Sequence, residues 1–208
     1  MKVVASHPEK KHLIKILFDN GSFALIDKTV FEQYPLRPED SVSQAELKSL
    51  QKKSDTERAK QRALYFLDRA DQTEKGLFEK LCRAGLSKEC CAEVIARFKE
   101  LGLVDDRRFA ENYTERCIEA NLSKRAIYSK LLSKGISSEL ARSVLENTET
   151  DELSAINALL EKKYRAKLCD GQNISKVYAA LVRRGFSYGA VREAIKGYCD
   201  KIEYGEEY

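Results

Sequence analysis

The segment Leu131-Leu132-Ser133-Lys134-Gly135-Ile136-Ser137 decides the fold, because its frame occurs twice more, as LCRAGLS at Leu81 to Ser87 and as LVRRGFS at Leu181 to Ser187. Each copy has a Leu, a Gly four residues on, then an apolar residue and a Ser. The glycines Gly85, Gly135 and Gly185 lie 50 residues apart. Apolar partners keep the same offset: Leu77, Ile127 and Val177; Phe78, Tyr128 and Tyr178; Ile95, Leu145 and Ile195. Self-similarity at a fixed period marks a repeated supersecondary unit, so the chain carries three modules of one design.

The frame has a mechanical reading. Ile127, Tyr128, Leu131 and Leu132 recur at i, i+1, i+4 and i+5, which places one helical stripe toward a module core. The Gly then sits where a helix must end in the left-handed region, and the Ser two positions on caps the next helix. That gives helix, sharp turn, helix. Val94, Ile95, Phe98 and Leu101 carry the stripe to Gly102. Asp105 or Asp106 can cap a further helix bearing Phe109, Tyr113 and Cys117 at i, i+4 and i+8. Each module is expected to hold about three short helices.

Upstream the chain changes character near residue 40. Pro8, Pro35 and Pro38 are its only prolines. Leu13 to Phe18 and Ser22 to Ile26 are β-prone runs flanking Asp19-Asn20-Gly21, where Asn-Gly supplies the positive φ angles of a tight hairpin turn. Thr29 to Tyr34 adds one or two helical turns. Ser43 and Glu46, in capping-box spacing, open a long helix, and Ser54 with Glu57 restart a second.

Composition narrows the function. The 208 residues are 43% hydrophobic and 34% charged with a net charge of +4, enough to bury one or two ordinary cores. No stretch approaches the roughly 18 apolar residues needed to cross a bilayer, and Met1 to His12 lacks the apolar run of a secretory signal; a cytoplasmic protein is expected. His7 and His12 are the only histidines, which removes imidazole general bases and H-E-x-x-H zinc sites from the rest of the chain. Cysteines 82, 90, 91, 117, 169 and 199 form no C-x-x-C or zinc spacing, so they are read as reduced and buried, with no metal and no cofactor. Cys90 and Cys91 are neighbours, but nothing in the sequence argues for redox chemistry there. With no Gly-rich phosphate loop and no carboxylate pair set apart by spacing, no enzyme is expected.

Order and spacing then become specific. Arg69, Thr73, Leu77, Leu81, Gly85 and Leu86, followed by Leu103-Val104-Asp105-Asp106, Phe109-Ala110 and Arg116, with the closing Arg183-Arg184-Gly185-Phe186-Ser187, resemble the RecX family over residues 56–196. Three positions depart from the family pattern. Asn121 stands where the second module usually has Gly, Ala70 replaces a small polar residue or Pro, and the third module is less regular before Ile174. The resemblance implies tandem three-helix modules and binding rather than catalysis. Such proteins lie in the groove of the RecA filament on DNA and depress strand exchange, ATP hydrolysis and co-protease activity. That implies a part in regulating recombination, DNA repair and the SOS response. It also implies RecA as protein partner, with DNA phosphates as a secondary one.

The charge distribution is compatible with this. Residues 121–142 hold Lys124, Arg125, Lys130, Lys134 and Arg142 against Glu139, and residues 162–196 hold nine basic residues against Asp170 and Glu193. The last twelve residues reverse the sign with Asp200, Glu203, Glu206 and Glu207 against Lys201. Basic modules of this kind attract acidic protein surface or nucleic-acid phosphates, although charge runs on helices are commonly just solvated faces. Arg183 and Arg184 are the leading contact candidates, followed by Arg125, Lys130, Lys134 and Arg192. Tyr128, Tyr178 and Phe186 occupy repeat-equivalent apolar positions and read as core; Tyr188 lies outside the stripe and is open to base stacking.

Two other functions are compatible with helical modules of this kind. A helix-turn-helix transcriptional regulator would need Arg, Asn or Gln at the start of its second helices, which here read Lys88-Glu89-Cys90, Ser138-Glu139-Leu140 and Tyr188-Gly189-Ala190. A generic helical-repeat scaffold would use stacked modules as an extended face. The expected architecture is mainly α: an N-terminal β-hairpin plus helix (1–53), repeats at 54–104, 105–150 and 151–200 in an elongated array, and an acidic tail (201–208), the whole acting as a monomer.

Overall fold

The structure is a computed structural model that describes residues 1–10, 12–169 and 173–203. Its contacts separate the chain into two compact units, Met1–Asp105 and Asp106–Tyr208.

In the first unit, strands β1 (Val3–Lys10), β2 (Leu13–Phe18) and β3 (Phe23–Asp27) form an antiparallel sheet in the order β1-β2-β3. The expected hairpin is β2 and β3, with Ile14 opposite Ile26 and Ile16 opposite Ala24. The third strand, β1, went unread in the sequence because it is an edge strand in which Val3 alone is fully buried. Its Pro8 is tolerated there beside a register shift between Pro8 and Lys10. The turn also differs from expectation. Only Gly21 takes a positive φ, +76°. Its N–H donates to the Phe18 carbonyl, and Phe18 N–H to the Ser22 carbonyl, making a three-residue loop with glycine last.

Alternate residues of the sheet, Ile14, Ile16, Phe18, Ala24 and Ile26, pack with Val30 of α1 (Lys28–Gln33) and with Leu47 and Leu50 of α2 (Gln44–Arg69). The expected capping box is present: Ser43 Oγ accepts from Glu46 N–H, and the Glu46 carboxylate accepts from Ser43 N–H. The expected restart at Ser54 is absent, since α2 runs unbroken through it. Ser54 is buried and its Oγ accepts from Asp27 N–H at 2.7 Å, tying the end of the sheet to the middle of the helix. Past that point α2 changes partners. Ala59 and Ala63, both fully buried, let α4 (Lys88–Glu100) lie close, and with α3 (Glu74–Arg83) they close a core of Leu77, Leu81, Cys91, Val94, Ile95 and Phe98.

The second unit repeats the brick. Helices α5 (Asp106–Glu119), α6 (Lys124–Ser133) and α7 (Ser138–Glu146) enclose Phe109, Cys117, Ile127, Leu131, Val144 and Leu145. Next come α8 (Glu152–Leu159), a π-helical turn (Leu160–Tyr164), α9 (Arg165–Cys169), α10 (Ile174–Arg183) and α11 (Tyr188–Glu203), around Ile156, Leu160, Leu168, Val177, Leu181 and Ile195. The π turn explains the irregular start of the third module. One extra residue per turn keeps both Leu159 and Leu160 buried. Of the acidic tail, residues 201–203 end α11 and 204–208 lie outside the described residues, as does Asp170.

The repeat frame is visible in the backbone. Gly85, Gly135 and Gly185 have φ of +83°, +91° and +92°. After each, the next N–H reaches back to the frame's leading Leu carbonyl (Leu86 to Leu81, Ile136 to Leu131, Phe186 to Leu181), which satisfies a terminal carbonyl of the helix. Asn121, at φ +57°, makes the same closure through Leu122 N–H and the Cys117 carbonyl. Ser87, Ser137 and Ser187 each accept from the N–H three residues on.

Candidate functional site

The second unit contains an open cleft of about 690 Å3 between the first two turns of α6 and the glycine turn that ends α10. One wall is a single helical face, because Arg125, Ala126, Ser129 and Lys130 recur at i, i+1, i+4 and i+5. The opposite wall is Val182, Arg183, Arg184, Gly185 and Phe186. Phe186 is buried, and the exposed side chains of the lining are those of Arg125, Ser129, Lys130, Arg183 and Arg184. Among the described residues no carboxylate lines the cleft. Among the described residues none of the four cations is ion-paired. Arg183 Nε donates to the Ala179 carbonyl at 3.4 Å, and the Arg184 guanidinium lies 6.0 Å from the centre of the Tyr164 ring.

Arg183 ends α10 and Arg184 caps it. A cation there offsets the negative end of the helix dipole by about 0.3–1 kcal/mol. That accounts for a basic residue at each position but not for their facing two further cations without a counter-charge. One hydrogen bond ties the two walls directly. Ser123 Oγ accepts from Ala126 N–H as the cap of α6 and donates to the Arg184 carbonyl at 2.6 Å. Glu152 makes a second clamp at this turn, accepting from Ser187 N–H and Ser187 Oγ at 2.9 and 2.6 Å.

Of the six contact candidates, the cleft brings together Arg125, Lys130, Arg183 and Arg184. Lys134 caps the far end of α6, with its Nζ 5.9 Å from the centre of the Tyr113 ring, and is not in the cleft lining. Arg192 is exposed on α11 and also outside that lining. Arg125 additionally lines a second, shallower cavity of about 430 Å3 with Lys124, Tyr128, Arg142, Leu145 and Glu146. Lys124 is fixed there by donating to the Leu145 carbonyl at 3.1 Å. Glu139, the sole acid of residues 121–142, lies in neither lining. Its own backbone N–H and the hydroxyls of Ser138 and Ser137 hold its carboxyl below the usual range.

Ser123 is the residue that sequence reading missed. Its position two after Asn121 matches Ser87 after Gly85 and Ser137 after Gly135, which signals a helix cap. Nothing in the sequence signals an acceptor 61 residues away.

The aromatics divide as expected. Phe186 is buried, Tyr128 and Tyr178 are half-buried against their cores, and Tyr188 is 68% exposed with its ring 6.4 Å from that of Tyr178. Cys82, Cys90, Cys91 and Cys117 carry free thiols, and burial together with the neighbouring Cys82 pushes the Cys91 thiol up to about 11. A thiol so far from ionising is a poor nucleophile. Among the described residues no three metal-ligating side chains converge, and no helix is long and apolar enough to cross a membrane.

Comparison with known proteins bears on all three modules. Models of the first, second and third three-helix domains of RecX match residues 59–98, 105–145 and 149–195. The regulatory protein RecX of Clostridium tetani is 28% identical over 206 residues, spanning 99% of this chain and 94% of that protein. That of Caldanaerobacter subterraneus subsp. tengcongensis is 27% identical over 182 residues, 86% and 90% of the two chains. A crystal structure of a regulatory protein RecX shares the fold with a TM-score of 0.68 at 22% identity, covering 94% of this chain and 98% of the other. RecX from Lactobacillus salivarius does so with a TM-score of 0.61 at 24% identity, covering 70% and 97%. With three consecutive domain models matched in order over most of its length, the chain belongs to the RecX family and has the regulatory role that the family's name carries.

Proposed function

We propose that this protein regulates the RecA recombinase by direct binding to the RecA filament on DNA, and that its cationic cleft is a principal point of contact. The observation that carries the reading is the convergence of Arg125, Lys130, Arg183 and Arg184, without a carboxylate, on one face of a family member. Unpaired cations in a concave site favour an anionic polymer and bind it with strong salt dependence. The mechanism is occupancy: a chain seated on the filament hinders the movements and additions that recombination requires, which lowers ATP hydrolysis, strand exchange and co-protease activity without chemistry of its own. The protein acts as a cytoplasmic monomer, with DNA phosphates as secondary partner.

The test is RecA ATPase and strand exchange on single-stranded DNA with this protein titrated in at sub-stoichiometric amounts. Both activities should fall. A sequence-specific repressor would leave both unchanged and would instead select a short duplex from a random pool.

A further inference from the structure

We infer that Ser123 is the positioning residue that turns four separate surface cations into one preorganised site for the phosphodiester backbone of a nucleic-acid strand. This deepens the reading of the cleft as a contact surface and rests on it.

The latch is local to this junction. Ser123 is 3% exposed, and its hydroxyl has both of its roles filled: it accepts from Ala126 N–H and donates to the Arg184 carbonyl. The approach is so close that residue 185 has no room for a side chain. A Cβ on Gly185 would lie 2.7 Å from Ser123 Oγ and 3.0 Å from Arg125 Cβ, whereas a Cβ on Gly85, the equivalent turn of the first module, would meet nothing within 4 Å. Gly185 therefore serves two ends, the positive φ of the turn and the docking of that turn onto α6.

That docking opposes electrostatics. Arg183 and Arg184 line one cleft with Arg125 and Lys130, with no carboxylate in that lining among the described residues, and a bound polyanion offsets the repulsion of like charges gathered in this way. Binding and docking are thus coupled: what holds the walls together raises affinity, and the ligand in turn holds the walls together.

The lining chemistry selects a sugar–phosphate backbone over a protein surface. The cleft's apolar residues are buried or half-buried below its rim, so it lacks the exposed apolar or aromatic centre around which protein interfaces form. It also offers no exposed ring on which a base can stack, so binding is independent of base sequence. Arg125 lines both the cleft and the neighbouring cavity that holds Lys124 and Arg142. The cations therefore continue across α6 as a track rather than ending in a pocket for one phosphate, with Glu146 the only acid along it among the described residues.

The experiment measures fluorescence anisotropy of a labelled oligodeoxythymidylate, with no RecA present, against the full-length protein over a range of salt. A duplex of equal length forms the second arm and tells one strand from two. Wild type should bind at low salt. Arg183→Ala/Arg184→Ala should bind at least tenfold more weakly and lower the slope of log affinity against log salt by about 1.4, two phosphate contacts at ~0.7 each. Ser123→Ala should weaken binding about fivefold, the worth of one hydrogen bond, and Ser123→Thr, which keeps the hydroxyl, should restore it.

The decisive control is the repeat-equivalent helix cap in the first module. Thr73 Oγ1 accepts from Gly76 N–H just as Ser123 Oγ accepts from Ala126 N–H, and Thr73 is equally buried. Thr73→Ala should cost similar thermal stability while leaving oligonucleotide binding unchanged. The inference is overturned if wild type fails to bind either oligonucleotide, if the double arginine variant binds normally, or if Thr73→Ala and Ser123→Ala lose affinity alike. Any of these outcomes leaves the regulation of RecA standing, because the ATPase assay reads that separately.

Discussion

The first module and the junction of the second and third are built from one brick but wired oppositely. In the first module, two of the positions equivalent to the cleft cations have partners of their own. Lys80, the counterpart of Lys130, donates to Gln72 Oε1 at 2.7 Å and lies 5.5 Å from the Phe66 ring centre. Arg83, the counterpart of Arg183, pairs with Glu79 at 3.9 Å. Ala84 stands where the third module has Arg184. At the junction, among the described residues, none of the four cleft cations is ion-paired. Apolar repeat positions are kept because each core needs them, while exposed positions are free to diverge, and there the modules acquire different work.

The largest expected effects test the shared part. Leu81, Leu131 and Leu181 are each fully buried at one repeat position. Replacing any one with Ala should cost about 2–5 kcal/mol by leaving a cavity in its own core. Denaturant unfolding followed in each variant checks this, and a Leu181→Ala protein as stable as wild type would remove the third module from the repeat scheme.

The two glycine turns sharpen the contrast. Gly85→Ala should cost about 1–2 kcal/mol, the strain of a Cβ in the left-handed region. Gly185→Ala should cost more, roughly 2–4 kcal/mol, because overpacking against Ser123 and Arg125 is added to that strain. Equal losses would show that the close approach at the junction carries no energy.

Ser54 gives an intermediate effect in the first unit alone. Ser54→Ala leaves the buried Asp27 N–H without its acceptor and should destabilise that unit by about 1–3 kcal/mol, with amide exchange at Asp27 accelerated. The smallest effect concerns pH. The Cys91 thiol ionises near 11 in the folded protein against an ordinary value of 9.0, so the folded state favours the neutral form. Its contribution is constant below pH 9 and is lost between 9 and 11, where the unfolded chain releases the proton first. Thermal melts of the first unit should therefore fall over that window, and Cys91→Ala should flatten the fall.

Much of this was legible in the sequence, for reasons that differ by element. The three Gly turns could be read because positive φ after an apolar helix admits few residues, and Asn121 obeyed the same rule. Strand β1 could not, because its single buried residue and its Pro give no alternation to detect. Ser54 misled because a capping spacing within a helix looks like one at its start; only the structure shows its hydroxyl engaged by Asp27. The π turn was likewise hidden, since inserting a residue spoils the period by which helices are recognised. At the site, Arg125, Lys130, Arg183 and Arg184 were readable as individual cations. Their convergence was not, because it depends on a hydrogen bond from Ser123 to a backbone carbonyl, and backbone groups carry no sequence signature.

One assay bears on the central proposal most directly: inhibition of RecA ATPase on single-stranded DNA by wild type, by Arg183→Glu/Arg184→Glu and by Arg83→Glu, with helical circular dichroism recorded for each. The account predicts that the charge reversal at the junction relieves inhibition, while the reversal at the matching turn of the first module leaves inhibition intact and all three spectra coincide. Equal inhibition by the three proteins would contradict it.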